Sequence, residues 1–109
     1  MSVSDASVID MMGYDPSLDR VILTISNHLN WEDELVDLYH LQEKVNAYVS
    51  FYESGQIYKV EPRYMGKKIV IRIVSKFKPT ALVERFYETT TRVLDTIGLS
   101  LDVTYLVID

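Results

Sequence analysis

Between Lys68 and Phe77 apolar and charged positions alternate. Ile69, Ile71, Ile73 and Phe77 fall on one side and Lys68, Arg72 and Lys76 on the other, the two-residue period of a strand with one wet face. Arg20 to Ser26 is rich in β-branched residues and predicts a second strand, paired as a hairpin with a short strand over Ser7 to Met12 through a turn from Gly13 to Asp19 that contains Asp15-Pro16. Leu99 to Ile108 alternates again, with Leu99, Leu101, Val103, Tyr105 and Val107 on one face and Ser100, Asp102 and Thr104 on the other. Elsewhere the period lengthens to that of a helix. Leu35, Leu38, Leu41, Val45, Tyr48, Val49 and Tyr52 form one stripe of a helix capped by Asn30, with Glu32, Asp33 and Glu34 at its positive end and Ser54-Gly55 at its close. Pro79 and Thr80 open a second helix, Leu82, Val83, Phe86, Tyr87, Val93, Leu94 and Ile97 form its stripe, Glu88 and Arg92 can pair on its outer side, and Gly98 ends it. Gln56 to Glu61 reads as a short edge strand, because Pro62 excludes a central one.

This order predicts one α+β domain over residues 1–109, with a single mixed or antiparallel sheet and both helices on one face. If Gln56 to Glu61 pairs, residues 20–108 spell βαββαβ, a split-βαβ or ferredoxin-like variant with an extra N-terminal strand. If it does not pair, the sheet is simply mixed.

Charge adds a polarity that the hydrophobic pattern lacks. The net charge is −5, but residues 1–50 hold nine acids against two bases, while residues 51–109 hold seven against nine. An acidic chain argues against general nucleic-acid binding, since phosphate affinity needs a basic footprint. With no cysteine, disulfides, thiolate nucleophiles and Cys-based zinc sites are excluded. No apolar run reaches the roughly 18 residues of a membrane span, and the N-terminus carries acid where a secretory signal carries Lys or Arg, so a cytoplasmic protein is expected.

Candidate chemistry is sparse. Lys68, Arg72 and Lys76 make a basic sheet face, but stacking of RNA bases there needs exposed aromatics, and Phe77 and Tyr105 fall on the helix side; a solvated face pairing with Asp102 is the simpler expectation. Asp33, Asp37, His40 and Lys44 share one outer side of the first helix, where ion pairs are expected in preference to a metal. His28, just before that helix, fits a turn or cap, without a base partner for catalysis. No G-x-S-x-G elbow exists, and Gly13, Gly55, Gly66 and Gly98 are too dispersed for a phosphate loop, so neither an enzyme nor a cofactor is expected. Tyr48, Phe51, Tyr52, Tyr58 and Tyr64 crowd together with Lys59, Arg63, Lys67 and Lys68. Phe51, with Val36 and Ala47, flanks His40 on the helix side away from the predicted stripe. This is a candidate interface whose simplest use is a symmetric homodimer.

Three segments carry a resemblance: D-A-S-V-I-D over 5–10, V-I-L-T-I-S-N-H-L-N-W over 21–31 and above all L-Q-E-K-V-N-A-Y-V-S-F-Y-E-S-G-Q over 41–56, continuing through K-K-I-V-I from Lys67. The chain resembles a family of short bacterial proteins known only as a domain of unknown function, from which it departs at Asp37 and in its C-terminal third. The resemblance implies a free-standing bacterial protein and no assigned activity. It draws attention to Trp31, Gln42, Asn46, Glu53, Ser54 and Gln56. Gln42, Asn46 and Glu53 sit on one flank of the first helix, where they either line a small polar groove or fix the backbone of the following segment. The expected function is a non-enzymatic interaction module acting on itself or a protein partner, one version being an acidic inhibitor or immunity-type protein. The alternative is a small-ligand or nucleic-acid binder using the basic sheet face.

Overall fold

The computed structural model describes residues 11–105, and the Ser7–Asp10 part of the expected first strand and residues 106–108 of the last lie outside them. Four strands form one sheet in the order β1 (Met11–Asp15), β2 (Arg20–Asn27), β3 (Lys68–Ser75) and β4 (Leu99–Tyr105). β1 is antiparallel to β2, whereas β2, β3 and β4 are mutually parallel. Parallel neighbours need crossovers. α1 (Glu34–Glu53) and a helical turn α2 (Gln56–Val60) lie between β2 and β3, and α3 (Ala81–Thr96) lies between β3 and β4.

The first strand runs past its expected end at Met12 because the turn begins at Pro16 rather than Gly13. Asp15 closes the strand: its carboxylate accepts from Ser17 N at 3.1 Å and Ser17 Oγ at 2.6 Å, and it pairs with Arg20, its partner across the ladder, at 3.0 Å. Those bonds satisfy the turn from inside, as an Asx turn does.

The larger correction concerns Gln56 to Glu61, which is helical instead of an edge strand. Gly55 takes φ +79, a left-handed conformation open to glycine, and ends α1 by turning the chain sharply. Tyr58 N and Glu61 N then donate to Gly55 O and Ile57 O, and a 3₁₀ turn follows over Pro62–Tyr64. Ile57, fully buried, anchors the segment in the core. The βαββαβ string therefore does not occur, and the sheet is mixed, with two successive parallel crossovers in place of a ferredoxin-like order.

The core gathers Val21, Leu23 and Ile25 of β2, Ile69, Ile71 and Ile73 of β3, Leu41, Val45 and Tyr48 of α1, and Val83, Tyr87 and Leu94 of α3. Burying each aliphatic side chain contributes about 1.5–3 kcal/mol. Tyr48 also spans from α1 to the sheet, its hydroxyl donating to Thr24 O at 2.6 Å. β3 is less one-sided than its alternation suggests. Val70, on the same face as Arg72, is only 2% exposed, in keeping with a strand flanked by parallel neighbours on both edges.

α3 begins as its sequence indicates, with Thr80 Oγ1 accepting from Val83 N at 3.3 Å. α1 begins later than expected. Asn30 Oδ1 accepts from Glu32 N in a turn before the helix, Asp33 is the residue at its start, and the Asp37 carboxylate reaches back to Trp31 N at 3.0 Å.

Candidate functional site

α1 and α3 touch each other, and a groove of about 270 Å³ lies between them. Its walls are apolar, from Val45 and Val49 of α1, Phe86 and Val93 of α3 and Ile97 just past its end, and its rim is polar, from Gln42 and Asn46 on one side and Thr89 and Thr90 on the other. Three- and four-residue steps extend each wall into a row. Leu35 and Tyr39 continue the Gln42–Asn46 row toward the start of α1, and Leu82 and Phe86 continue the Thr89–Val93 row toward the start of α3. Leu35 is 75% exposed, Tyr39 60%, Val93 57% and Leu82 38%. At the helix starts the Thr80 hydroxyl donates to the Glu34 carboxylate, tying the two rows together.

This places two residues of the expected polar groove, Gln42 and Asn46, in an actual groove, opposite α3 rather than opposite the following segment. The other three are elsewhere: Trp31 is buried, whereas Glu53 and Gln56 are exposed at the α1–α2 junction and are not among the groove-lining residues. The candidate interface of Val36, His40, Ala47 and Phe51 does not form an exposed apolar strip. Phe51 is buried in the core, His40 and Ala47 are half-buried, and only Val36 is well exposed. The core face of α1 is rotated from the expected stripe toward Lys44 and Phe51, which leaves Leu35 outside. On α3 the same correction applies to Leu82 and Val93.

Lys44 is fully buried, its Nζ 5.6 Å from the centre of the Tyr48 ring, and so it does not share an outer face with Asp33, Asp37 and His40. Asp37 is committed to the Trp31 backbone, and His40 packs edge-on against Tyr39. Among the described residues no three His, Asp or Glu side chains converge as metal ligands do. The basic sheet face also changes. Arg72 pairs with Asp102, its neighbour across the β3–β4 ladder, at 2.6 Å; Lys68 is exposed; and Lys76 lies past the end of β3 over the Phe77 ring. Phe77 is likewise past the strand. Glu88 and Arg92 form no ion pair.

Two further clusters sit at opposite ends of the parallel strands. At the carboxyl ends Asn27 and Ser75 are 1% and 0% exposed, and Asn27 Nδ2 donates to Ser75 Oγ at 2.9 Å while its Oδ1 accepts from Leu29 N at 3.1 Å. The buried Tyr87 hydroxyl faces them without a hydrogen bond of ordinary geometry; burial pushes its pKa up to about 12 against the opposing pull of Ser75 and Asn27. Trp31, 5% exposed and in the left-handed region at φ +66, has an indole N–H without a partner among the described residues.

At the amino ends Tyr14, Arg63, Tyr64 and Lys67 line a cleft of about 340 Å³. Lys67 Nζ donates to Asp19 at 2.8 Å and lies 5.6 Å above the Tyr14 ring, and the Tyr14 hydroxyl donates to the same carboxylate. Lys67, then Tyr14, hold the Asp19 carboxyl below its usual range, and Asp19 in turn raises both of its partners. Arg63 makes a two-pronged contact with Glu61, at 2.8 and 3.0 Å, which lowers that carboxyl. The aromatic and basic residues gathered here were visible as a crowd in the sequence; their convergence with Tyr14, some 50 positions earlier, depends on β1 pairing beside β2.

No helix among the described residues is long and apolar enough to cross a membrane. No curated protein and no solved structure matches the chain. A family model covers residues 1–107, nearly the whole length and including the segment from Leu41 to Gln56: the chain belongs to a family of unknown function, DUF6572.

Proposed function

We propose that the protein is a non-catalytic interaction module of the bacterial cytoplasm that pairs with a second copy of itself through the outer surface of α1 and α3. The observation that carries this reading is the groove, whose apolar walls continue into the exposed Leu35, Tyr39, Leu82 and Val93. Contiguous apolar rows with a polar rim are unusual on a surface that stays in water.

Charge favours a second copy as the occupant. α1 presents Glu43 beside its row and α3 presents Arg85 and Arg92 beside its own, and among the described residues none of the three forms an ion pair. Both helices run antiparallel to the strands, so they are parallel to each other. A two-fold axis parallel to them lays α1 of one copy over α3 of the other and brings Glu43 toward Arg85 and Arg92 twice.

Light scattering on the eluting protein at about 50 μM, well above a dissociation constant of about 1 μM, should give twice the 12.6 kDa chain mass. Val93→Asp, at an exposed position, should return the mass to one chain without unfolding it. Arg92→Glu should weaken pairing by about tenfold, and Glu43→Lys added to it should restore part of the loss. A single-chain mass for the unmodified protein at that concentration defeats the reading.

A further inference from the structure

The amino-end cleft is not used by the helix face, and its chemistry points to a ligand of its own. We propose that Tyr14, Arg63, Tyr64 and Lys67 bind a phosphate monoester joined through a sugar to a planar aromatic base, the chemistry of a nucleoside monophosphate. Both cations keep donors in reserve. A guanidinium has five N–H donors, of which Glu61 takes two, leaving three; an ammonium has three, of which Asp19 takes one, leaving two. Asp19 and Glu61 thus fix the two cationic heads in place without exhausting them, which lowers the entropic cost of closing on an anion.

The aromatic part has matching partners. Tyr14 is 44% exposed and Tyr64 is half-buried, so two phenol rings flank the cations in the same cleft. A ring with a cation held 5.6 Å from its centre on one side can take a base on an open face. The volume of about 340 Å³ is at the small end of the roughly 300–1,000 Å³ of ligand sites, which suits one nucleotide and excludes a folded partner. Although the whole chain is acidic and Asp19 and Glu61 each hold one of the two cations, residues 59–68 carry Lys59, Arg63, Lys67 and Lys68 against Glu61 alone, so the segment around the cleft is locally basic.

The test is a titration of the isotope-labelled full-length protein, followed by amide NMR, with adenosine monophosphate, adenosine and inorganic phosphate as separate probes. Adenosine monophosphate should shift the amides of Tyr14, Arg63, Tyr64 and Lys67 saturably, and each half-molecule should bind at least about tenfold more weakly. Arg63→Ala, at a side chain 86% exposed, should keep the folded spectrum and lose about ten- to a hundredfold in affinity. Tyr64→Ala should lose about fivefold or more. An unmoved spectrum at about 5 mM adenosine monophosphate, shifts confined to other surfaces, or undiminished binding by Arg63→Ala overturns the proposal. Equal affinity for phosphate alone overturns its aromatic half. Because Arg63 and Tyr64 do not line the groove, failure here leaves the dimer mass unchanged, and a monomeric chain leaves this titration unaffected.

Discussion

At their carboxyl ends β2 and β3 carry Asn27 and Ser75, both buried, neutral and bonded to each other; at their amino ends the same two strands begin with Arg20 and Lys68, beside Asp15, Asp19 and Lys67, in contact with water. The two ends face similar demands, since each must stop a parallel ladder and turn the chain. They meet them in opposite ways. Under α3 there is no water to screen a charge, so amide and hydroxyl groups close the strands, and every missing bond there is expensive. At the open end ion pairs do the same work, where each partner has water to fall back on. The carboxyl end is therefore closed by buried neutral groups and the amino end by water-exposed charged ones, and the proposed anion site falls at the end where rearrangement costs less.

Asn27→Ala should produce the largest effect. It strips the partner from Leu29 N and from Ser75 Oγ in a buried place, and at about 1–3 kcal/mol for each stranded group the loss should be about 3 kcal/mol in urea unfolding, with the slope unchanged. A loss under about 1 kcal/mol would mean that water already reaches these groups and would erase the contrast between the ends.

Tyr87→Phe sharpens the same contrast from the other direction. Its hydroxyl is buried without a well-formed bond, so its removal should change stability at neutral pH by less than about 1 kcal/mol in either sign. The difference appears in alkali. Tyr87 has its pKa raised from 10.0 to about 12 in the folded state, so the folded form holds its proton while the unfolded form gives it up. Its stabilising effect is whole below pH 10 and is lost as the pH rises toward 12, at up to about 1.4 kcal/mol per unit. Tyr87→Phe should flatten that part of the stability curve; parallel curves for the two proteins would place the hydroxyl in water.

What was legible in the sequence follows the same division between local and tertiary causes. Thr80 and Gly98 bracket α3 by signals within one turn of its ends, and the β-branched runs of β2 and β3 announce themselves by composition. α2 carries no such signal. One helical turn has no period to detect, and it exists because Gly55 turns the chain and Ile57 finds the core. Tertiary packing buries Phe51 and Lys44 and leaves Leu35 outside, an outcome that the helical spacing of α1 alone cannot decide. Gln42 and Asn46 could be read as a polar flank from α1, but the far wall of their groove was hidden, since Leu82 and Val93 look like core residues until α3 is seen to be only half covered. The cleft was half visible in the same sense: its basic and aromatic members are neighbours in sequence, whereas Tyr14 and Asp19 arrive through the β1–β2 turn.

Asp19→Asn should have the smallest effect of the series and probes the amino end most directly. Asp19 sits at φ +51, where asparagine is at least as comfortable, so the backbone is preserved while the charge beside Lys67 and Tyr14 is removed. Its carboxyl is lowered from 3.8, first by Lys67 and then by Tyr14. A lowered carboxyl stabilises the fold above its unfolded value, and that contribution is lost as the pH falls through the folded one. The original protein should therefore hold a slight advantage above about pH 4 that disappears in stronger acid and is weakened by about 1 M salt. Thermal unfolding across that range should show two curves that meet at low pH and barely separate at neutrality, because an exposed pair gives up little when water replaces one partner. A loss approaching that of Asn27→Ala would show the open end to be as tightly determined as the buried one, and an anion could then enter the cleft only by breaking the structure that holds Lys67 in place.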